Sequence, residues 1–220
     1  MPRRPVHDRF LHERSSLASG IRILAGVDEA GRGPLAGPVV AAAVILPTAW
    51  VLEGMPEGWG ELNDSKQLTE TQRDRFFAGL TGDPAVRFAI AAVEPRVIDE
   101  INILQATHRA MNQALADLGD DVEHALVDGR PVRSLRWPQT ALVKGDSLSY
   151  SIAAASVLAK VTRDRVMREA DLSWPGYGFA SHKGYPTPEH LEAVARLGPS
   201  PIHRLSFAPL RRPEPELFPS

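Results

Sequence analysis

The chain has 220 residues and a mass of 24.0 kDa, with 43% hydrophobic and 24% charged residues and a formal net charge of −2. This length and composition are typical of a globular protein with one sizeable core, and they exclude wholesale disorder. The chain contains no cysteine, which excludes disulfide scaffolds, thiolate zinc sites and cysteine nucleophiles and is compatible with a reducing compartment.

The N-terminal sequence MPRRPVHDRFLHERSS lacks the apolar segment of a secretory signal. We predict a flexible tail over residues 1–19, and we expect a cytoplasmic protein. The longest strongly apolar run, residues 39–46, has eight residues, whereas a helix that spans a bilayer needs about 20. No membrane partner is therefore expected.

Two strands are predicted early in the chain, at residues 21–28 and 38–46, and the glycine-rich sequence EAGRGPLAG joins them. Residues 48–60 contain Pro, Gly and Trp without a regular period, which predicts a loop. The sequence TETQ at 69–72 is a capping box that starts a short helix. Residues 86–93 form a third predicted strand.

Apolar residues then recur every three or four positions, which predicts a long helix that starts at Pro95 and ends at Gly119. Its apolar face consists of Val97, Ile101, Leu104, His108, Met111, Leu115 and Leu118. Because His108 lies on this face, we expect it to be a core residue rather than a metal ligand.

Short strands are predicted at residues 123–128 and 140–143, a long helix at 147–170, and a capped last helix at 187–198. Three hairpin-type strands followed by alternating helices and strands predict an α/β fold with a mixed β-sheet flanked by helices. Residues 187–220 are expected to form a C-terminal helical extension and tail.

Acidic side chains end several of these strands. Asp28 and Glu29 close the first strand, Asp128 closes the fourth, and Asp146 precedes the long helix. Neighbouring side chains inside a strand face opposite sides, but at the last residue both members of a pair can approach one ion. Four such carboxylates would hold a hard divalent cation. Asp128 also fits a simple turn, and Asp146 or Ser147 a helix cap.

The other polar features are less specific. The glycine-rich loop lacks the Lys-Ser/Thr ending of a phosphate-binding P-loop. Residues 63–66 (NDSK) fit a turn before the capping box. His182 and Lys183 lie in GYGFASHKGY, a loop type that stacks on sugars or bases, although an ordinary ordered loop fits its composition as well.

Charge is distributed unevenly along the chain. Residues 1–129 hold 12 basic and 19 acidic residues, whereas residues 130–204 hold 11 basic and 6 acidic residues. A near-neutral protein with such a basic segment can offer a local surface to a polyanion, and chance unevenness on a solvated surface is the alternative.

Six segments of the chain match a known family in order: GVDEAGRGPLAGPVVAAAV (26–44), NDSKQL (63–68), INILQATHRAM (101–111), VDG (127–129), KGDSLSYSIAAASVLAKVTRD (144–164) and SHKGYPTPEHLEAVARLGPSPIHRLSF (181–207). They resemble the type 2 ribonucleases H, and among these the bacterial ribonucleases HII. The resemblance covers residues 20–207 and implies a ribonuclease H-like catalytic domain at 20–186.

The resemblance also assigns expected roles to individual residues. The family's four catalytic, metal-binding carboxylates correspond to Asp28, Glu29, Asp128 and Asp146. Gly31, Arg32 and Gly33 match the loop that reads the 2′-hydroxyl at an RNA–DNA junction. Tyr185 matches the tyrosine that packs on the sugar following the ribonucleotide, and Lys66 matches a lysine near the cleaved strand.

The implied activity is cleavage of the RNA strand of RNA–DNA hybrids and of single ribonucleotides in duplex DNA, leaving 3′-hydroxyl and 5′-phosphate ends. Two Mg²⁺ or Mn²⁺ ions are expected in the active complex. Candidate phosphate contacts are Lys144, Lys160, Arg163, Lys183 and Arg204. Ser147 and Leu148 stand where many relatives have a lysine, which leaves one basic phosphate contact of the family unaccounted for.

The expected partner is a hybrid or ribonucleotide-containing duplex, bound by a monomer without an obligate protein partner. Two other functions remain open at this point. One is a different metal-dependent phosphoryl-transfer enzyme, such as a DNA exonuclease or a recombinase-type nuclease. The other is a non-catalytic nucleic-acid-binding protein that uses only the basic segment.

Overall fold

A computed structural model describes residues 8–211 and contains one five-stranded sheet. The strands are β1 Leu24–Ala30, β2 Val39–Ile45, β3 Arg87–Val93, β4 His124–Asp128 and β5 Gln139–Leu142. Their order across the sheet is β3-β2-β1-β4-β5, with antiparallel pairing among the first three and parallel pairing of β4 with β1 and β5. The mixed sheet predicted from the sequence is thereby confirmed.

Eight helices surround the sheet within the described range. They are α1 Leu11–Ala18, α2 Thr48–Glu53, α3 Glu70–Gly82, α4 Pro95–Leu118, α5 Gly145–Leu148, α6 Tyr150–Ser173, α7 Phe179–His182 and α8 Pro188–Leu197. None of them is long and apolar enough to cross a membrane.

Helices α4 and α6 cover opposite faces of the sheet, because side chains alternate along each strand. On β2, Val40, Ala42 and Val44 pack in the core beneath α6, whereas Val39, Ala41 and Ala43 pack in the core beneath α4. The close approach of α6 relies on its run of buried small residues, which includes 153–155. We refer to the side of the sheet covered by α6 as the α6 face and to the side covered by α4 as the α4 face.

Two predicted elements differ from the structure. Residues 48–60 were predicted as a loop, yet α2 lies within them, because Val51 is buried and the Trp50 ring packs on Trp59 with centroids 5.4 Å apart. The predicted helix at 147–170 is two helices, α5 and α6. They separate at Ser149, whose backbone is extended and whose Oγ accepts a hydrogen bond from the Ile152 N–H.

Helix α4 is interrupted at Asn102, which has φ +66°. The Asn102 Oδ1 accepts hydrogen bonds from the N–H groups of Leu104 and Gln105, so it caps the second half of the helix. The break shifts the helical phase, which explains why the predicted apolar face is wrong at Leu104, 47% exposed, and at half-buried His108. Met111 and the residues that follow it on that face are buried as predicted.

Residues 8–19 pack against the core instead of forming part of the flexible tail predicted over residues 1–19. Phe10 is buried in the α6-side core, and Glu13 is only 2% exposed. The Glu13 Oε1 accepts hydrogen bonds from the N-terminal end of α6. These partners order the segment, while residues 1–7 lie outside the described part of the chain.

The last helix agrees with the prediction at both ends. The Thr187 side chain accepts a hydrogen bond from the His190 N–H, Pro188 is the first helical residue, and Gly198 ends the helix. The chain beyond it returns to the glycine-rich loop between β1 and β2, where His203 forms an isolated bridge with Ala36. Residues 212–220 of the predicted tail lie outside the described part of the chain.

Candidate active site

Three carboxylates converge at one edge of the sheet. Strands β1 and β4 are parallel neighbours, so Asp28 and Asp128 reach the same edge, and α5 brings Asp146 to it. One oxygen from each of the three lies within 4.8 Å of the others. The structure thus brings together three of the four acids predicted from the sequence.

Glu29 lies on the opposite face of β1 from Asp28. The strand was predicted to end at Asp28, but it continues to Ala30, and Glu29 pairs with Ala41 of β2. Because the two acids are inside the strand, the alternation of side chains applies to them and Glu29 faces α4. Its Oε1 accepts a hydrogen bond of 3.1 Å from Arg32.

Crowding disfavours ionisation of these acids in the absence of a cation. Burial and the neighbouring charges of Glu29 and Asp128 raise the pKa of Asp28 well above its usual value. Burial and the adjacent Asp64 and Asp128 raise the pKa of Asp146 to about 6. The pKa of Glu29 is also raised, mainly by burial, against the opposing effect of Arg32.

Asp64 is a residue that sequence reasoning missed, because the segment 63–66 fits a turn equally well. It does form that turn, since its Oδ1 accepts a hydrogen bond from the Lys66 N–H. It also lies beside Asp146. Burial opposes protonation of Lys66, but Asp64, Asp28 and Asp146 together raise its pKa, so its ammonium group lies near Asp28, Asp128 and Asp146, which we call the acid cluster. Contact of Lys66 with the cleaved strand stays a prediction.

The acid cluster fits a hard divalent cation. Its donors are all oxygens, and burial together with the charges of neighbouring acids raises the pKa values of Asp28 and Asp146. Oxygen-only donor sets suit Mg²⁺, Mn²⁺ or Ca²⁺ rather than softer metals. A cation bound between these carboxylates would offset the repulsion.

Arg9, which is far from Asp146 in the sequence, holds the backbone around Asp146. Its guanidinium donates hydrogen bonds to the carbonyl of Asp146 at 2.8 Å and to that of Ser147 at 3.1 Å, and it also contacts the Leu62 carbonyl. A residue of the predicted tail therefore supports the segment that presents a candidate metal ligand.

Two buried arginines support the glycine-rich loop. Arg204 donates hydrogen bonds to the carbonyls of Gly31, Arg32 and Gly37, and Arg163 donates to those of Pro38, Ala36 and Lys183. Both arginines are 0% exposed. The prediction that they contact phosphate is therefore wrong, because neither side chain reaches solvent and all of their nitrogens except Arg163 Nη1 donate to the protein's own backbone.

The Tyr185 ring lies next to the glycine-rich loop. It is 41% exposed, and a Cβ added at Gly33 would lie 3.6 Å from its Cε1. Arg163 lies under the ring, with its guanidinium carbon 5.9 Å from the ring centroid. Gly33 and Tyr185 thus form one exposed surface, and Lys66 lies within electrostatic reach of both Tyr185 and the acids Asp28 and Asp146.

A chain of histidines holds the backbone of Tyr185. The Ser200 N–H donates to His203 Nδ1 at 2.8 Å, so neutral His203 has its proton on Nε2 and donates to His190 Nε2 at 3.0 Å. His190 then has its proton on Nδ1 and donates to the Tyr185 carbonyl at 2.9 Å. The sequence offered no signal for this relay beyond the presence of histidines.

Two of the three lysines that remain as predicted phosphate contacts already bind groups of the protein itself. Lys160 forms an ion pair of 2.6 Å with Asp164 on α6, and the Lys183 ammonium donates to the Ala180 carbonyl. Lys144 is exposed, with φ +58° at the start of α5. Contact of these three lysines with a substrate stays a prediction.

Comparisons with known proteins agree with the motifs. The family model described as Ribonuclease HII matches residues 25–210. The chain is 54% identical to the ribonuclease HII of Geobacillus kaustophilus (strain HTA426) over 200 residues, which is 91% of this chain and 74% of that protein.

Solved structures show the same fold. Ribonuclease H2 from Pyrococcus horikoshii OT3 superimposes with a TM-score of 0.69 at 28% identity, over 86% of this chain and 95% of that chain. A chain in the PCNA:RNase HII complex from Archaeoglobus fulgidus superimposes with a TM-score of 0.70 at 25% identity, over 87% of this chain and 98% of that chain. The ribonuclease H-like sheet implied by the motifs is thereby confirmed.

Proposed function

The chain belongs to the ribonuclease HII family, and on that premise we propose that it cuts duplex DNA at single embedded ribonucleotides and leaves 3′-hydroxyl and 5′-phosphate ends. As a member of this family it is an endoribonuclease that acts on RNA–DNA hybrids. The observation that supports the finer proposal is that Lys66 lies within electrostatic reach of Tyr185 as well as of Asp28 and Asp146, so that the Gly33–Tyr185 surface and the acid cluster share one region of the molecule.

Asp28, Asp128 and Asp146 would hold the cation, with Glu29 as a proposed fourth ligand that reaches it from the other side of β1. When bound, two Mg²⁺ or Mn²⁺ ions supply a nucleophilic water and stabilise the leaving oxygen. The Gly145 N–H donates a 2.7 Å hydrogen bond to Asp128 Oδ1, which leaves Oδ2 for a cation. The protein's own contribution is therefore to fix the directions of these carboxylates.

The surface beside the cluster would recognise the junction. Gly33 lacks a side chain, so backbone groups of its loop can approach the minor groove, where the 2′-hydroxyl distinguishes RNA from DNA. The exposed ring of Tyr185 offers an apolar face to the next sugar. Lys66, which lies within electrostatic reach of Asp28 and Asp146, would contact the phosphate that is cut.

We also propose that the chain acts as a monomer without an obligate protein partner, although its Archaeoglobus fulgidus relative was solved in a complex with PCNA. The test is cleavage by the purified chain alone, together with its mass in solution. A requirement for added protein would contradict this part of the proposal. The cytoplasmic location stays a prediction.

The function is tested with three duplexes: all-DNA, DNA with one ribonucleotide, and a continuous hybrid, each with Mg²⁺, Mn²⁺ or chelator. We expect metal-dependent cuts in the hybrid and beside the single ribonucleotide, with no cut in the all-DNA duplex. Degradation of the all-DNA duplex would favour a DNA nuclease. Binding without any product would favour a non-catalytic nucleic-acid-binding protein.

A further inference from the structure

A long cleft opens on the α4 face, on the other side of β1 from the Gly33–Tyr185 surface. Its first part is a cavity of about 640 Å³ between the second half of α4 and the loop at residues 129–134. Glu29 and Asp128 line the end of this cavity that lies at the candidate active site, which we call the catalytic end. A second cavity of about 530 Å³ shares Gln105, His108 and Ser134 with the first, so the two form one cleft.

The walls of this cleft are strongly basic. Its acids are Glu29 and Asp128, at the catalytic end, and its basic side chains are Arg32, Arg109, Arg130, Arg133 and Arg136. Arg32 pairs with Glu29. Within residues 8–211, the other four arginines form no ion pair and no side-chain hydrogen bond, and all four are exposed. Elsewhere on the surface, the exposed Arg96 pairs with Glu100. We call this surface the arginine cleft.

The backbone that presents these arginines is anchored. Val132 is buried, and its N–H and carbonyl both bond to the Gln139 side chain, at 2.8 Å each. Asn112 of α4 accepts a hydrogen bond from the Arg136 N–H and donates one to the Ser134 carbonyl. The loop is thereby hydrogen-bonded both to β5 and to α4, so its unpaired arginines project from an ordered backbone.

We propose that the arginine cleft binds the sugar–phosphate backbone of the substrate duplex on the flank that Tyr185 does not contact. This proposal rests on the proposed function. Because Tyr185 corresponds to the residue on the sugar that follows the ribonucleotide, the cleft takes the 5′ flank. Four unpaired arginines line the cleft, with Arg130 and Arg133 in the cavity that Asp128 also lines and Arg109 and Arg136 further along. They would hold that flank by charge, without reading its sequence.

The test compares Arg130→Ala/Arg133→Ala with Arg22→Ala, an exposed arginine at the opposite end of β1 from Asp28. Binding of fluorescent duplexes is measured in chelator, from low to high salt, so that it does not depend on cleavage. One duplex has long flanks around a central ribonucleotide, and two others have a shortened 5′ or 3′ flank.

We expect the double variant to bind the long duplex about 10-fold more weakly at low salt and to reduce the salt slope by about 2, because each lost phosphate contact removes about 0.9 from that slope. Arg22→Ala should match the wild type. The defect should disappear on the duplex with the short 5′ flank and persist on the one with the short 3′ flank.

An unchanged affinity and slope would overturn the proposal, and so would a defect that disappears only when the 3′ flank is shortened. Failure of the proposed function is a separate result. In that case the wild type would not cut beside the single ribonucleotide in Mg²⁺ or Mn²⁺, whatever the binding measurements show.

Discussion

The two faces of the sheet at the end of β1 are built in opposite ways. On the α6 face, Asp28 and Asp146 are buried, and the adjoining Tyr185 loop is held by buried arginines and histidines. On the α4 face, Glu29 opens onto a solvent-filled cleft lined by unpaired arginines. The difference indicates that the two faces have separate roles. The α6 face fixes the reacting groups, and the α4 face supplies positive charge that binds a long polyanion.

This arrangement puts function in conflict with stability at the acid cluster. Burial and the charges of neighbouring acids raise the pKa of Asp28, and burial also raises that of Glu29 on the α4 face. The four unpaired arginines of the cleft are exposed and have no such conflict. Substitutions of the acids should therefore affect catalysis and stability in opposite directions, whereas substitutions of the cleft arginines should not.

Asp128→Asn tests this conflict and has the largest expected effect. Loss of one charged ligand should reduce cleavage at least about 100-fold, whereas Asn keeps an oxygen for the Gly145 N–H. Because one repelling charge is removed, the melting temperature in chelator should not fall. Cleavage rates and thermal unfolding measure the two effects.

Asp120→Asn is the matched control, since Asp120 is exposed and forms no ion pair in the described range. It should leave both quantities unchanged. If Asp128→Asn cleaved at the wild-type rate, the assignment of the metal ligands would be wrong. A clear fall in its melting temperature would instead contradict the repulsion between the acids.

The sequence was sufficient for the elements that follow simple periodicity. The five strands have alternating or continuous apolar patterns. Asp128 ends β4 and Asp146 follows β5 after one short turn, so the two acids come together at the same end of the sheet. The exact length of β1 was not readable, because AGVDEA continues as a strand past its acids. Those two extra residues decide the face on which Glu29 lies.

Features that depend on burial of charge could not be predicted. A basic residue is usually exposed, so Arg163 and Arg204 were expected to contact phosphate, yet tertiary contacts with remote carbonyls bury both. The pairing of His190 with His203 needs a return of the chain that no local pattern encodes. Hydrogen bonds between residues so far apart in the sequence become visible only in the folded structure.

Alanine substitutions at Gly31 and Gly33 separate fold from recognition within one loop. Gly31 has φ +92°, and a Cβ there would lie 2.0 Å from Arg163 Nε and 2.8 Å from the Pro38 carbonyl. Gly31→Ala should therefore destabilise the protein by roughly 3 kcal/mol. Gly33→Ala meets only an ordinary contact with Tyr185, so its free energy of unfolding should stay within about 0.5 kcal/mol of the wild type.

Urea unfolding measures both stabilities, and cleavage beside a single ribonucleotide measures recognition. Gly33→Ala should cleave that site more slowly while remaining folded, because its methyl group projects from the surface that faces the minor groove. Equal stability of the two variants would show that the buried support of the loop is looser than the hydrogen bonds indicate.

Tyr185→Ala should weaken recognition without disturbing the acid cluster. Loss of a stacking ring is worth about 1–3 kcal/mol, so cleavage beside a single ribonucleotide should fall about 10-fold or more. Tyr185→Phe keeps the ring and should stay near the wild type. Metal binding, followed by the shift in melting temperature with Mn²⁺, should be unchanged in both variants. Unchanged cleavage by Tyr185→Ala would reduce Tyr185 to a packing residue.

The α6 face should also show a pH dependence of stability. Burial and the neighbouring His190 lower the pKa of His203 to about 4, below its ordinary value of 6.5. The folded state therefore favours neutral His203, so its stabilisation is complete above pH 6.5 and is lost as the pH falls towards 4. Between these values the group should remove about 1.4 kcal/mol of stability per pH unit.

His203→Gln cannot take up this proton, so its unfolding free energy should depend less on pH between 6.5 and 4 than that of the wild type. The measurement is urea unfolding at several pH values, and the difference in slope isolates His203 from the carboxylates, which titrate in both proteins. Parallel slopes for His203→Gln and the wild type would mean that the relay does not hold a neutral His203, and the contrast between a rigid α6 face and an open α4 face would lose its main support at Tyr185.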